Sequence, residues 1–280
     1  MHDQDVGKKV MISDPFLVAL VLGLLMIGFI TITSTTLFVA ERQYQDPFFF
    51  VIRHVKHVIL AAGGFLIARS SSTETWQGAR GVCLLVACIS LLVVFVPGLG
   101  LEINGAKRWV QLGFTVCQPS EVSKLCYLLY LTSYLAQDTE SVRRTEIYFW
   151  LRPMMWLLVC ATLLCLQPDF GSAIVLTAVT LMTMFIAGMP MRTFIVLGLL
   201  AVTMAAVCAV LEPYRMLRII SFTNPWKYAY GTGYQLTQSL MAIGRGGVWG
   251  VGLGSGLQKI FYLPEAHTDF IFAVFCEELG

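Results

Sequence analysis

Apolar residues in this chain come in long blocks separated by short polar breaks. The windows 15–39, 48–68, 81–99, 118–136, 151–167, 169–188 and 192–211 are strongly apolar and nearly free of charge. A bilayer core of about 30 Å needs about 20 apolar residues in a helix, so each window predicts a membrane span. An eighth apolar run starts near residue 269 and meets the chain end at residue 280. At about 1.5 Å of rise per residue that run is too short to cross alone, and the chain reads as a fragment of a longer protein. The first run has no small-residue cleavage pattern behind it and predicts a retained helix, not a signal peptide.

The pattern changes between the seventh and eighth runs. Residues 212–268 hold nine glycines between Gly231 and Gly256, and aromatics at 222, 226, 228, 230, 234, 249, 261 and 262. So many aromatics argue against disorder, and a loop this long is usually functional. The segment predicts amphipathic interfacial helices joined by glycine turns. The string "GYQLTQSLMAIGRGG" (233–247) fits one short helix ended by Gly244 or Gly246. Backbone amides in such a turn can hold phosphate, although a tight bend alone also explains the glycines.

Composition agrees with the blocks. The chain is 57% hydrophobic and 13% charged, against roughly 45–50% and 25% in soluble domains. The expected class is therefore an all-α, polytopic integral membrane protein. The eight cysteines are scattered without a CxxC pair and read as small apolar filler, with no disulfide or zinc framework. No metal-ligand set and no nucleic-acid partner is predicted.

Charge position is more informative than the net charge of +2. Lys8, Lys9, Arg69, Arg80, Arg143, Arg144, Arg152 and Arg192 all fall on one side of the predicted spans. The positive-inside rule makes that side cytoplasmic, together with the N-terminus. Segments 100–117 and 212–268 are then outside, yet they carry Lys107, Arg108, Arg215, Arg218, Lys227, Arg245 and Lys259. An anionic ligand explains outer cations. Pairing with Glu102, Glu212 and Glu265, or contact with lipid phosphates, is the alternative.

Several strings place polar residues at span ends. In "QPSEVSK" (118–124) Pro119 opens a span, and Glu121 and Lys124 share a face at i,i+3. A capping glutamate and a snorkelling lysine would look the same. In "LQPDFGS" (166–172) Asp169 falls in the first turn of a span, where a carboxylate is favourable by about 0.3–1 kcal/mol. "EPYRMLRI" (212–219) puts Arg215 and Arg218 on one face. In "LPEAHTDFIFAVFCEELG" (263–280) His267 or Thr268 is expected to cap a helix, with Asp269 in its first turn. Asp269 is a candidate general base or simply a helix-terminal charge. Glu277 and Glu278 lie deeper, where acids default to a functional reading; their partners are expected from helices beyond residue 280.

Together with "NGAKRW" (104–109), these strings in this order resemble the SEDS family (shape, elongation, division and sporulation) of bacterial membrane proteins, from about residue 15 to the chain end. "EPYRMLRIISFTNPW", "AIGRGG" and "YLPEAHTDF" are most similar to its cell-division branch. "GLGSGLQK" (252–259) departs from the commoner family form at Ser255 and Gly256.

The resemblance implies a SEDS-type helical bundle of ten transmembrane helices in the full-length protein, about seven and a half of them here. It implies one transmembrane domain over 1–280, C-terminally truncated, with 212–268 as a long extracytoplasmic loop. The implied activity is peptidoglycan glycosyl transfer, polymerising lipid II into glycan strands during septal wall synthesis at the bacterial inner membrane. Carried over by position, Asp269 is the implied catalytic residue. Arg108, Glu121, Lys124, Asp169, Arg215, Gln238, Ser239, Arg245, Glu265 and His267 are the implied substrate-binding set. No cofactor is expected to bind tightly, with a divalent cation on the substrate pyrophosphate as an option. Implied partners are lipid II, a class B penicillin-binding protein, other divisome membrane proteins and membrane lipid. A lipid II flippase and a non-catalytic divisome scaffold are the other readings; clustering of polar motifs on the outer side favours outer-leaflet chemistry over transport.

Overall fold

The computed structural model describes residues 14–103, 105–113, 115–137 and 147–280. The expectations placed on Lys8, Lys9, Asn104, Arg143 and Arg144 lie outside them. The apolar blocks appear as helices: α1 (Pro15–Tyr44), α2 (Phe49–Ser70), α4 (Arg80–Val93), α5 (Pro119–Gln137), α6 (Ile147–Leu166), α7 (Phe170–Ile186) and α8 (Met191–Val210), with a short α3 (Thr73–Gly78) before α4. Among the described residues α1, α2, α6 and α8 are long and apolar enough to cross a membrane, while α4 and α7 are shorter apolar helices. The chain separates into two compact units, Ile67–Leu211 and the residues up to 66 together with Glu212–Gly280.

In the 67–211 unit, α4 packs on α5 and α6, and α7 packs on α5, α6 and α8. Cys83, Ala87 and Leu91 of α4 recur at i,i+4,i+8 and are buried against Tyr127, Leu131, Cys160 and Leu164. Pro153 sits inside α6. It has no N–H to give the Phe149 carbonyl four residues back, and the Tyr134 hydroxyl of α5 donates there instead at 3.2 Å. The Tyr127 hydroxyl, two turns earlier on the same face of α5, donates to the Pro153 carbonyl at 2.8 Å.

Segment 100–117 holds a structure the hydrophobic pattern did not predict. It is a three-stranded antiparallel meander of β1 (Gly100–Ile103), β2 (Ala106–Leu112) and β3 (Thr115–Cys117). Ile103 pairs with Ala106 across a two-residue turn, and Gly105 supplies its left-handed backbone at φ 75°. Glu102 and Lys107 are register partners, so opposite charges face each other across the ladder.

The other unit joins α1 and α2 to the glycine-rich segment. That segment forms α9 (Pro213–Thr223), a 3-10 turn (Pro225–Tyr228), α10 (Tyr234–Gly246), a π-helical turn (Gln258–Tyr262) and α11 (Ile271–Leu279). The expected helix in 233–247 is present, with Gly246 its last residue and Gly247 following at φ 56°. α1 buries Thr31, Thr35, Thr36 and Ala40 while exposing Leu17, Leu24 and Met26. This inverts a soluble helix and suits one whose outer face meets lipid. The threonine hydroxyls bond back to carbonyls of their own helix, as Thr31 to Ile27 at 2.8 Å and Thr36 to Ile32 at 2.7 Å.

α10 and α11 meet closely because glycines stand at the contact. A Cβ on Gly246 would collide with the Cys276 carbonyl, and one on Gly250 with the Glu278 carbonyl. The chain after α10 then pairs with the end of α11: Val251 N–H donates to the Glu277 carbonyl at 2.9 Å and Gly252 N–H to the Glu278 carbonyl at 3.0 Å.

Candidate functional site

In the unit that holds α10 and α11, Asp269 lies in the turn of residues 263–270. Leu263 and Ala266 anchor that turn in a small core with Ala242, Ala273 and Val274. Glu265 organises it from a left-handed backbone at φ 54°. Its carbonyl accepts from the N–H groups of Thr268 and Phe270, both at 3.2 Å. Its carboxylate accepts the Thr268 hydroxyl at 2.7 Å.

This corrects the expected cap. With its hydroxyl held by Glu265, Thr268 caps nothing, and α11 starts at Ile271 after Phe270. Asp269 precedes the helix. Its carboxylate is exposed and makes no hydrogen bond or ion pair among the described residues. The His267 ring lies 5.4 Å from that of Phe50.

Below this turn sit the two deep acids. Glu277 is fully buried and accepts the backbone N–H groups of Leu257 at 3.0 Å and Gln258 at 3.2 Å. Nη1 of Arg245 lies 3.8 Å from it. Glu278 is 2% exposed. It accepts from Nζ of Lys259 at 2.6 Å and from the Ser34 hydroxyl at 2.7 Å. Lys259 also donates to Ser34 Oγ at 2.8 Å. The expectation that partners would come from helices beyond residue 280 is thus corrected: α1, α10 and the π-helical turn supply them. Lys259, expected among the outer cations, is turned inward and 5% exposed.

Arg215 is half-buried on α9, and Arg218 from the same face lies over the Tyr214 ring at 5.2 Å. Gln238 is half-buried on α10, whereas Ser239 is buried and donates to the Leu236 carbonyl at 2.8 Å.

In the 67–211 unit a second polar group forms where α6 gives way to α7. Arg108 of β2 donates Nε to the Gln167 carbonyl at 3.2 Å and Nη2 to the Pro168 carbonyl. Asp169 is the N-cap of α7; it accepts from Ser172 N–H at 3.3 Å and from Gln118 Nε2 at 3.3 Å. Gln167 reaches the Leu91 carbonyl at 2.6 Å. Lys124 pairs with Glu121 at 2.8 Å along the exposed face of α5, as the i,i+3 spacing allows. Among the described residues no three His, Cys, Asp or Glu side chains come together as metal ligands.

The family profile described as cell cycle protein, spanning FtsW, RodA and SpoVE, matches residues 15–280. The chain belongs to this FtsW/RodA/SpoVE family. It is 43% identical over 276 residues to the probable peptidoglycan glycosyltransferase FtsW of Coxiella burnetii, covering 98% of this chain and 74% of that protein. It is 43% identical over 258 residues to the protein of the same name from Alcanivorax borkumensis, covering 92% and 67%. Among solved structures it resembles a chain from work on the coordination of polymerization and crosslinking by a peptidoglycan synthase complex, at TM-score 0.71 and 26% identity over 96% of this chain and 72% of that one.

Within this FtsW/RodA/SpoVE chain, sequence reasoning missed Ser34, Gln118 and Gln167 as members of polar groups. Gln118 and Gln167 each precede a proline that opens a quoted motif, which was the available signal. Ser34 stands in "TITSTT" (31–36), a hydroxyl-rich stretch of an otherwise apolar helix.

Proposed function

We propose that this membrane protein is a peptidoglycan glycosyltransferase that polymerises lipid II during septal wall synthesis. The observation that carries the reading is an exposed Asp269 carboxylate without a hydrogen-bond or ion-pair partner among the described residues, held on a turn that Glu265 and Thr268 organise. The chain's similarity to the probable peptidoglycan glycosyltransferases FtsW of Coxiella burnetii and Alcanivorax borkumensis supports it.

In the proposed step the 4-hydroxyl of an acceptor sugar attacks C1 of the donor sugar. The new O4–C1 bond forms as the bond from C1 to the lipid pyrophosphate breaks, and the hydroxyl proton passes to Asp269. Arg108, Lys124, Arg215 and Arg245 are assigned to bind substrate and to offset charge on the departing pyrophosphate. Glu121, Asp169, Gln238, Ser239, Glu265 and His267 complete the proposed substrate-binding set. Asp169 and Ser239 are buried and would act through their neighbours. The proposed setting is the bacterial inner membrane at the septum, N-terminus cytoplasmic, beside a class B penicillin-binding protein.

The test is Asp269→Asn in the full-length protein with its transpeptidase partner. Glycan synthesis from lipid II should fall by at least about a hundredfold while insertion and partner binding survive. Chains of wild-type length and yield from the asparagine variant would reduce Asp269 to a loop charge. Transport of lipid II without glycan product from either form would favour a flippase.

A further inference from the structure

Among the described residues the buried charges around α11 make no hydrogen bond or ion pair with Asp269, yet they tie down both ends of the segment that carries it. At one end, Leu257 and Gln258 give their amides to Glu277, and Lys259 gives Nζ to Glu278. At the other end, Glu277 and Glu278 are themselves the last turn of α11. Ser34 of α1 bonds both Lys259 and Glu278. What lies between is the remainder of the π-helical turn, the 263–270 turn and the start of α11. A π-helical turn is rare and is found preferentially at functional sites.

We propose that Lys259, Glu278 and Ser34, with Glu277 holding the adjoining amides, form a buried lock that positions the Asp269 turn for proton abstraction. These are positioning residues: none of them touches Asp269. Three observations favour this over a bland role in stability. A buried ion pair is a weak source of stability, because desolvating both charges offsets their attraction. It is strongly directional, however, and low dielectric sharpens that. The lock also bridges α1, the π-helical turn and α11, so the turn cannot shift against the helices without parting a charged contact. Finally, Gly256 leaves room for it, since a Cβ there would stand 3.0 Å from an oxygen of each of Glu277 and Glu278.

This inference rests on the glycosyltransferase reading for its catalytic arm only. The experiment uses the full-length protein in nanodiscs with its transpeptidase partner, and compares wild type with the Lys259→Met/Glu278→Leu double variant. Removing both charges avoids stranding one of them, so the variant should insert and melt near wild type. Hydrogen exchange across residues 263–270 should rise by at least about tenfold, with α1 and α10 still protected. Because misplacement of a reacting group by about 1 Å can cost about a hundredfold, kcat for glycan synthesis should fall on that order. KM for lipid II should hold within about twofold, as substrate groups are untouched. Lys259→Arg, which keeps the charge, should retain more activity than Lys259→Met.

A folded double variant with unchanged exchange at 263–270, or with wild-type kcat, overturns the lock. Exchange that rises equally in α1 and α10 also overturns it, in favour of a purely structural pair. If the double variant does not fold, Ser34→Ala decides. It removes two hydrogen bonds without stranding a charge, and should raise exchange at 263–270 alone; no rise refutes the proposal. If wild type makes no glycan, the glycosyltransferase reading fails, while the exchange measurement still decides the lock.

Discussion

Arg108 and Gln167 are joined by a charged hydrogen bond from Nε of the arginine to the main-chain carbonyl at 3.2 Å, with the Pro168 carbonyl on the same guanidinium. The cation therefore stands at the C-terminal end of α6, where the helix leaves carbonyls without partners and its dipole is negative. Asp169, next along, occupies the opposite pole, the N-terminus of α7. A residue proposed to bind substrate thus also closes a helix.

Arg108→Ala should lower stability by about 1.5–3 kcal/mol, the usual range for hydrogen bonds to charged groups. Arg108→Lys separates the two roles. Lysine keeps the charge but has no planar fork to span two carbonyls. The lysine variant should bind lipid II better than the alanine variant yet melt nearly as low, as thermal unfolding in detergent will report.

Asp169→Ala should remove the cap of α7 at a cost of about 1 kcal/mol, while Asp169→Asn should cost little, because asparagine caps about as well as aspartate. Loss of glycan synthesis in an asparagine variant with wild-type melting would show that Asp169 contributes its charge to substrate binding beyond its cap.

Neighbouring glycines of α10 should respond with opposite signs. Gly246→Ala drives a methyl into the Cys276 carbonyl and should destabilise by about 1–3 kcal/mol or more, as overpacking does. Gly244 has open space around its Cα, so Gly244→Ala should stabilise by about 0.5–1 kcal/mol through helix propensity. Equal effects from the two would show that the α10–α11 contact is not the close one described.

Orientation is open to chemistry at Tyr230, which is fully exposed. In a cysteine-free background, Tyr230→Cys should react with an impermeant thiol reagent applied from outside. Reaction only after the membrane is opened would reverse the assigned topology.

The helices were legible because apolar blocks define them: 192–211 became Met191–Val210, and Pro119 opens α5 as its missing N–H allows; of the seven expected spans, α1, α2, α6 and α8 are long and apolar enough to cross. The sheet in 100–117 was hidden. β1 and β3 are only four and three residues long and the seven of β2, AKRWVQL, do not alternate apolar with polar, although the Asn-Gly pair at 104–105 was an available hairpin cue. The cap at Thr268 failed because Glu265, three residues back, competes for the same hydroxyl. The partners of Glu278 could not be read from local pattern at all. Ser34 lies 244 positions away, and composition announces a buried acid without saying which cation reaches it.

Pro153 is the kind of residue counted as damage to a helix. Here the defect has an address. The carbonyl it releases at Phe149 lies within reach of the Tyr134 hydroxyl, so a missing rung inside α6 becomes a rivet to α5. In a membrane, where apolar contact discriminates poorly between one helix neighbour and another, such a rivet specifies a partner and a register. Alanine at 153 would mend the ladder of α6 and erase that instruction, leaving a better helix with less reason to choose its neighbour.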